Sequence, residues 1–487
     1  MAIASPSAPS FCCTTRSGTT HRRFAQSISK RAGSNRHVSG HGPTQRLFRW
    51  GVGVRAQLQQ PPPREGAFPV YVTLPSDAVG PTAQTMRRKR AMAQSFRALA
   101  AAGVEGLVME VWWGLVEREF PRRYNWQGYL EIVEMARRFG LKVRASMAFH
   151  QCGLGPNDPF WIPLPVWVLE EMDKDPNVSY ADRFGRTNME YVSLGCDILP
   201  ILHGRSPIQA YADLMRNFRD TFRSFLGGVI TGIQVGLGPG GELRYPSSPT
   251  QKLTWARRSR ELSEFQCYDK YMLASLYAST RELSLVQNPD STDFFLRWYS
   301  KTLLLHGERI CREAETIFRG NKVNMSGKVA GAHWHYDTAI KDGFVPIVRM
   351  FGRYGFTVCC TCFEMRDDEM NRAGRPESLL KQLVLAARIC DVPLEGENSS
   401  TDLDDESFGQ ILKMSKLYSD GLETPSFSFN FVRMDKNLFE PRNWVSFTRF
   451  VRRVSEMNVF RAGLDFEGGN GSSSPPVAAF AGAVLAY

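Results

Sequence analysis

The sequence predicts an α/β protein, a (β/α)8 TIM barrel with long βα loops, from three observations. Eight short apolar runs, rich in β-branched and aromatic residues, follow one another from Pro69 onward. Amphipathic stretches with apolar residues at helical spacing lie between these runs. Regular alternation of strand and helix is typical of a parallel sheet, and eight units over about 390 residues fit a closed barrel better than an open, doubly wound sheet.

The predicted strands are, in chain order, PVYVTLP, GLVMEVWW, KVRASMAFH, GVITGIQVG, KVAGAHWHY, FTVCCTCFEM, VPLEGEN and SFSFNFVRM. Helical spacing is clear in residues 86–103, 129–140 and 377–390. Active sites of such barrels lie at the carboxyl ends of the strands. Polar residues at those ends are Glu110, His150, Glu242, His333, Thr361, Glu397 and Arg433. Any one of them alone is more ordinarily a loop residue or a hydrogen-bonded core group, but seven together favour a site.

Two of these residues are glutamates that follow predicted strands, Glu242 in GPGGELRYPS and Glu397 in PLEGEN. Splitting an acetal requires one group that protonates the leaving oxygen. It also requires a second carboxylate that activates water or attacks the sugar directly. Either glutamate alone would mean little, but the pair at the mouth of a barrel predicts glycoside hydrolysis.

Composition excludes several classes of protein. The chain has 487 residues, of which 43% are hydrophobic, enough to bury a large core. No apolar run reaches the roughly 20 residues needed to cross a bilayer, so we expect no membrane partner. The formal charge is +11. About ten of the Lys and Arg residues precede Glu65, the first acidic residue, and the remainder is near neutral, so we expect no nucleic-acid partner.

The basic leader is rich in Ser, Thr and Arg and lacks both carboxylates and a long apolar stretch. This composition predicts a disordered chloroplast transit peptide over residues 1–60, removed on import into the plastid stroma. The alternative is a basic arm that stays attached and binds an acidic partner. Residues 67–457 then form the hydrolase domain, and residues 458–487, with the stretch GGNGSSSPP, form a flexible C-terminal tail.

Two further motifs do not predict a cofactor. GLGPGG matches the dinucleotide-binding pattern GxGxxG, but prolines rather than a helix follow it. Cys359, Cys360 and Cys362 lie close together in the sequence, yet their spacing is wrong for zinc. On a strand, Cys359 would face away from the other two, so core packing is favoured over a metal site or a redox switch. We expect no cofactor and no metal.

Several long motifs resemble one family of enzymes. HQCG, IPLPVWVLEEMDKDP, GPGGELRYPS, FQCYDKY, HWHY and GEN, in this order, are similar to the motifs of plant β-amylases, glycoside hydrolase family 14. The resemblance covers nearly all of residues 69–457. It implies a (β/α)8 barrel and inverting exo-hydrolysis of α-1,4-glucans such as starch or maltooligosaccharides, with release of β-maltose from non-reducing ends. It also implies that Glu242 is the general acid and Glu397 the general base.

Inversion requires room for a water molecule, so the two carboxyl groups would lie roughly 6.5 to 9.5 Å apart, against about 5 to 5.5 Å in a retaining enzyme. The resemblance further implies sugar-binding roles for Glu110, His150, Asp158, Lys328, His333, Thr361, Asn398, Ser399 and Arg433. These side chains supply the donors and acceptors that sugar hydroxyls need. Trp112, Trp113 and Trp334 either stack on sugar rings or pack in the core.

The sequence also departs from the family pattern. The family's mobile loop usually has HxCGGNVGD, whereas HQCGLGPND here has Leu154 and Asn157 at glycine positions and Pro156 beside them, which predicts a stiffer lid. Glu110 stands where the family usually has Asp. The connections at residues 282–295 and 333–344 lack long segments beside the cleft, which would leave it wetter. GENSS replaces the usual GENAL after the predicted base.

These departures leave an alternative open: a catalytically inactive β-amylase-like protein that binds glucan or a protein partner and regulates starch breakdown. A third hypothesis is a retaining glycosidase of another family. It fits glutamates after the fourth and seventh strands, but not the long motifs.

Overall fold

The structure, a computed structural model, describes residues 68–153, 155–244, 266–280, 293–330, 343–367, 376–400, 403–419 and 426–456. Within these ranges, eight strands form a parallel barrel. They are β1 Val70–Thr73, β2 Gly106–Trp112, β3 Lys142–Ala148, β4 Ile230–Val235, β5 Asn324–Val329, β6 Phe356–Cys360, β7 Leu394–Glu397 and β8 Phe427–Phe431. Each strand pairs in parallel with its neighbours in sequence, and β1 pairs with β8 to close the barrel. The predicted (β/α)8 barrel is confirmed.

One long helix follows each strand. These helices are α1 Lys89–Ala101, α2 Gln127–Phe139, α3 Pro207–Thr221, α4 Asp293–Phe318, α5 Val345–Arg353, α6 Pro376–Ile389, α7 Asp405–Ser419 and α8 Pro441–Glu456. Local sequence sets their ends. Ser206 and Gln209 form a capping box at the start of α3, and Gly140 ends α2 in a left-handed conformation with φ 75°. None of the helices that the structure describes is long and apolar enough to span a membrane.

The loops at the carboxyl ends of the strands carry additional elements, as the prediction of long βα loops requires. Between β3 and α3 lie a helix, Val166–Lys174, and an antiparallel hairpin of strands Ser179–Ala181 and Thr187–Val192. Further helices lie at Trp113–Val116 and Lys270–Thr280. These elements lie in the loops that follow β2, β3 and β4.

The interior of the barrel contains a polar layer below this end. Arg144 on β3 donates to Asn430 Oδ1 on β8 at 2.8 Å and forms an ion pair with Glu395 on β7 at 3.2 Å. The guanidinium also lies 3.7 Å from the centre of the Tyr71 ring on β1. Because these contacts join strands that are not neighbours, they cross the barrel. A buried charge with this many partners is a satisfied structural group, and it ties the strands together beneath the site.

One predicted strand has the wrong boundaries. β5 begins at Asn324 rather than Lys328 and ends at Val329, and residues 331–342, with the HWHY motif, lie outside the described ranges. The start of this strand does not form an apolar run, because Asn324, Ser326 and Gly327 are polar or small. A side chain at Gly327 is excluded because a Cβ there would lie 2.6 Å from the Phe351 ring. The predicted leader, residues 1–60, and the tail, residues 458–487, also lie outside the described residues.

Candidate active site

The two glutamates lie on adjacent parts of the carboxyl end of the barrel. Glu397 is the last residue of β7. Glu242 begins a two-residue strand, Glu242–Leu243, that pairs with β5 and places Glu242 beside Lys328. Thr361 directly follows β6, and its side chain hydrogen-bonds to Glu242. The structure therefore brings together four of the predicted site residues: Glu242, Lys328, Thr361 and Glu397.

Glu397 is held by a direct ion pair. It is only 6% exposed, and its Oε1 accepts a hydrogen bond from Lys328 Nζ at 2.5 Å. Burial raises the pKa of Glu397, but the Lys328 ammonium opposes that rise. Burial alone would lower the pKa of Lys328, yet the Glu397 carboxylate raises it well above its usual value. The ion pair favours the carboxylate form of Glu397, the form that can act as a base.

Glu242 is buried to a similar extent but is less tightly paired. It is 7% exposed, and Arg244 Nη1 lies 3.7 Å from its Oε2. Burial raises the pKa of Glu242, Arg244 and Lys328 oppose that rise, and the nearby carboxylate of Glu190 adds to it. A carboxyl group in this environment keeps its proton to a higher pH than an exposed glutamate. Such a group suits a general acid.

Glycine is required just before Glu242. Gly241 has φ 77°, and a Cβ at this position would lie 3.2 Å from Cε1 of His150. His150, which follows β3, packs edge-on against Trp112 at 5.3 Å between ring centres. The backbone at Gly241 can therefore approach the imidazole of His150 only because it carries no side chain. This contact brings His150 to the loop that carries Glu242.

A second ion pair at the barrel mouth joins Arg433, which follows β8, to Glu110 on β2. Arg433 donates from Nη1 to Glu110 Oε2 at 2.9 Å and from Nη2 to Glu110 Oε1 at 3.3 Å. Nη1 also donates to Ser76 Oγ at 2.5 Å and to the Leu74 carbonyl at 3.1 Å. A two-point contact fixes the orientation of both side chains. Both predicted sugar ligands are therefore present as a fixed pair.

Asn398 and Ser399, also predicted as sugar ligands, have their side chains bound to protein groups. Asn398 Oδ1 accepts from the Val432 N–H at 2.8 Å, and its Nδ2 donates to the Val432 and Ser400 carbonyls at 2.5 and 2.8 Å. Ser399 Oγ donates to Glu364 Oε1 at 2.9 Å, and the Ser399 N–H donates to the same oxygen. In this structure both residues shape the loop after the predicted base.

Asp158 lies in the loop predicted to be a stiff lid. Its Oδ1 accepts a hydrogen bond from the Phe160 N–H at 3.0 Å, so the carboxylate stabilises its own turn. Trp113 is fully buried and packs against Trp167 and Tyr211, which favours the core interpretation for this residue. Leu154, His333 and Trp334 lie outside the described residues.

Three groups near the site carry no clear signal in the sequence. They are Ser76, Glu190 and Glu364. Cys152, which is also near the site, lies within the motif HQCG. Burial and the Glu110 carboxylate raise the pKa of Cys152 to about 11. Glu190 reaches the Glu242 loop from the hairpin strand Thr187–Val192, so no local spacing links the two. Arg244, by contrast, lies within the motif GPGGELRYPS and could have been found from it.

The buried thiols belong to the core beneath the site. Burial raises the pKa of Cys359 and of Cys360 well above the usual value, so both are protonated at neutral pH. Cys359 Sγ lies 3.9 Å from Glu397 Oε2. Among the residues that the structure describes, no group of three His, Cys, Asp or Glu side chains is arranged to hold a metal ion.

Comparison with known proteins gives consistent matches. The model of glycosyl hydrolase family 14 matches residues 71–285 and 284–459. The chain is 44% identical over 440 residues to β-amylase 1, chloroplastic, of Arabidopsis thaliana, covering 80% of this chain and 76% of that protein. It is 42% identical over 441 residues to β-amylase 2, chloroplastic, of Oryza sativa subsp. japonica, covering 81% and 78%.

A more distant relative and a solved structure agree. β-Amylase of Vigna unguiculata is 34% identical over 433 residues, covering 79% of this chain and 86% of that protein. The catalytic domain of β-amylase from Paenibacillus polymyxa is similar in fold, with a TM-score of 0.66 and 21% identity over 81% of this chain and 100% of that chain. The family match divides at residues 284–285, inside the connection 282–295 that the sequence predicts to be short.

Proposed function

The chain belongs to glycosyl hydrolase family 14, and we propose that it is a β-amylase that hydrolyses α-1,4-glucosidic bonds of starch and related glucans from their non-reducing ends. The relatives named β-amylase, at 42 to 44% identity over about four fifths of the chain, support this activity. The observation that carries the mechanism is the pair of buried glutamates with unlike partners, Glu242 and Glu397.

In the proposed reaction, Glu242 protonates the glycosidic oxygen as the bond to the anomeric carbon breaks. Glu397, kept ionised by Lys328, takes a proton from the water that attacks that carbon from the opposite face. Inversion converts the α-linkage to β-maltose, and exchange with solvent water then removes the proton from Glu397 and returns one to Glu242, which restores both groups. Neither step requires a cofactor. The separation of roughly 6.5 to 9.5 Å that inversion requires stays a prediction, which the anomeric configuration of fresh product tests.

The sugar-binding groups are also part of the proposal. They are Glu110, His150, Asp158, Lys328, His333, Thr361, Asn398, Ser399 and Arg433. Those that the structure describes surround the carboxyl ends of the strands. The Glu110 and Arg433 pair offers an acceptor and a donor fixed by mutual hydrogen bonds, which suits neighbouring sugar hydroxyls. The side chains of Asn398 and Ser399 would act mainly by shaping the loop beside the substrate.

The test is release of maltose from soluble starch and short maltooligosaccharides by the chain without residues 1–60. We expect maltose from the native sequence and a loss of about 10³-fold or more in Glu242→Gln and in Glu397→Gln. Thermal unfolding of all three proteins checks that the variants are folded. Proton NMR of fresh product should show the β anomer. A well-folded native protein that releases no maltose at any pH would refute the proposal.

A second candidate is a catalytically inactive protein that binds glucan or a protein partner. Two observations favour it: Glu110 in place of the usual Asp, and the hydrogen bond that the Asp158 carboxylate accepts within its own turn. It predicts saturable retardation of the protein in gels that contain amylopectin, with no maltose produced. Turnover that depends on Glu242 and Glu397 would eliminate it.

We also propose that residues 1–60 are a transit peptide that directs the chain to the plastid stroma, where residues 67–457 act as one hydrolase domain. The composition of the leader and the word chloroplastic in the names of the relatives support this. Fusion of residues 1–60 to a fluorescent protein should place fluorescence in the stroma of plant cells. Fluorescence that stays in the cytosol would contradict it.

A further inference from the structure

Arg244 lies between two carboxylates. Its Nη1 is 3.7 Å from Glu242 Oε2, and its Nη2 is 3.6 Å from Glu190 Oε1. Arg244 is 5% exposed, and the Glu190 side chain is 13% exposed. Two acidic groups therefore share one buried guanidinium. Only one of them, Glu242, belongs to the proposed reaction.

Glu190 also holds the loop that carries Glu242. It lies on the hairpin strand Thr187–Val192, and its Oε1 accepts a hydrogen bond from the Gly240 N–H at 3.0 Å. Its backbone carbonyl accepts from the Gln151 N–H at 2.9 Å. The hairpin is therefore tied through one residue both to the loop before Glu242 and to the segment after His150.

We propose that Glu190 is a positioning residue for the general acid: it fixes the loop at Gly240 and shares the charge of Arg244, so that Glu242 retains its proton. This inference rests on the proposed function. A guanidinium committed to Glu242 alone would favour the carboxylate form, which cannot protonate a leaving group. Because Arg244 is shared with the Glu190 carboxylate, it stabilises the carboxylate form of Glu242 less.

Glu242 has charged and titratable neighbours on every element packed around it. They are Arg244 beside it, Glu190 from the hairpin, Lys328 from β5, Cys360 and Cys362 at the end of β6, Glu397 from β7 and His150 after β3. Lys328 is bound to Glu397 at 2.5 Å, and burial keeps the two thiols protonated. Arg244 is the cation whose effect on Glu242 depends on Glu190.

Three substitutions separate the two roles of Glu190. Glu190→Gln keeps an oxygen for the Gly240 N–H but removes the negative charge. Glu190→Asp keeps the charge on a shorter side chain. Glu190→Ala removes both. The effect is measured in the full chain by ¹³C NMR titration of side-chain carboxyl groups, with the Glu242 resonance assigned by its absence from Glu242→Gln.

Glu190→Gln should lower the pKa of Glu242, weakening its proton binding by about tenfold. The alkaline limb of the pH profile of kcat should move to lower pH by the same change in pKa. Glu190→Asp should restore the native limb, whereas Glu190→Ala should also lower kcat at the optimum. Arg244→Gln should change the pKa of Glu242 in the opposite direction and raise it. This variant serves as the test if Glu190→Gln does not fold.

A matched control exists on the surface. Arg216 is also shared between two carboxylates, Asp213 at 2.9 Å and Glu313 at 3.2 Å. Glu313→Gln should leave the Glu242 titration and the pH profile unchanged. An unchanged Glu242 titration in Glu190→Gln, or in Arg244→Gln, would overturn the inference. The titration does not need turnover, so a native protein that makes no maltose refutes the proposed function while the NMR result still decides the role of Glu190.

Discussion

The two glutamates at the mouth of the barrel are the same residue type and are almost equally buried, yet their partners differ. Glu397 accepts a hydrogen bond from an ammonium at 2.5 Å, whereas Glu242 has a guanidinium 3.7 Å away that a second carboxylate shares. Removing a carboxylate from water costs several kcal/mol unless a partner offsets it. The proposed division into acid and base therefore rests on this difference: Lys328 is paired directly with Glu397, whereas Arg244 is shared between Glu242 and Glu190.

The difference between Glu242 and Glu397 predicts how kcat should depend on pH. In the proposed mechanism, activity requires an ionised Glu397 and a protonated Glu242. It should fall at low pH as Glu397 gains a proton and at high pH as Glu242 loses one. Burial raises the pKa of both groups, but Lys328 opposes the rise most directly at Glu397. We therefore expect the pKa of Glu242 to exceed that of Glu397.

The largest effect should come from removing the partner of the base. Lys328→Met leaves Glu397 buried without its ammonium, so its pKa should rise and less of it should be ionised at neutral pH. Loss of one member of a buried pair costs about 3 to 5 kcal/mol, and we expect kcat to fall at least about 10²-fold. The acidic limb of the kcat profile on maltooligosaccharides should move to higher pH.

The control for this experiment is Lys381→Met. Lys381 forms an ion pair with Glu377 at 2.7 Å on α6. Lys381→Met removes a lysine from a similarly short ion pair that involves none of the predicted site residues. We therefore expect kcat and both limbs of its pH profile to stay as in the native protein. If the acidic limb is the same in Lys328→Met and in the native protein, the ion pair does not set the state of the base.

A smaller effect is expected at the sugar-binding side. Arg433→Lys keeps the positive charge but cannot make the two-point contact with Glu110 and the added bonds to Ser76 and Leu74. KM for maltooligosaccharides should rise by roughly tenfold while both pH limbs stay in place, because a single charged contact is weakened. A change in kcat and the limbs with KM unaltered would place Arg433 in the acid and base machinery instead.

The smallest effect should come from an ion pair that only stabilises the fold. Burial alone would raise the pKa of Glu377, but Lys381 and Lys413 lower it to about 2. Because the pKa is lowered in the folded state, this stability is present above the unfolded value and is lost as pH falls towards 2. Glu377→Gln should reduce the free energy of unfolding by about 1 kcal/mol at pH 7.

Urea unfolding at pH 7 and pH 3 checks that prediction, with kcat measured alongside. The difference between the native protein and Glu377→Gln should shrink at the lower pH, and kcat should not change. An equal difference at both pH values would mean that the carboxylate charge contributes nothing to stability.

Apolar runs predicted the barrel because strands buried on both faces must be apolar almost throughout, as in β2, where Glu110 is the one charged residue among seven. The start of β5 was missed because Asn324, Ser326 and Gly327 are polar or small. Gly327 is required by close packing against Phe351, which no local pattern records.

In the candidate site, too, some residues could be predicted from local sequence and others could not. The sequence predicts Glu242 and Glu397 as the catalytic pair because the chemistry demands two carboxylates and each follows an apolar run. Glu190 and Glu364 were missed because they act through contacts with distant segments, such as Glu190 with Gly240 and Glu364 with Ser399. Family resemblance placed Ser399 in the site, but only the structure shows that its hydroxyl is bound to Glu364.

The most direct test of the division between acid and base is hydrolysis of α-maltosyl fluoride, whose leaving group needs little help from an acid. Glu242→Gln should lose starch hydrolysis but keep turnover of the fluoride, whereas Glu397→Gln should lose both because water still requires a base. The reverse pattern, with the fluoride hydrolysed only by Glu397→Gln, would contradict the assignment of the two glutamates.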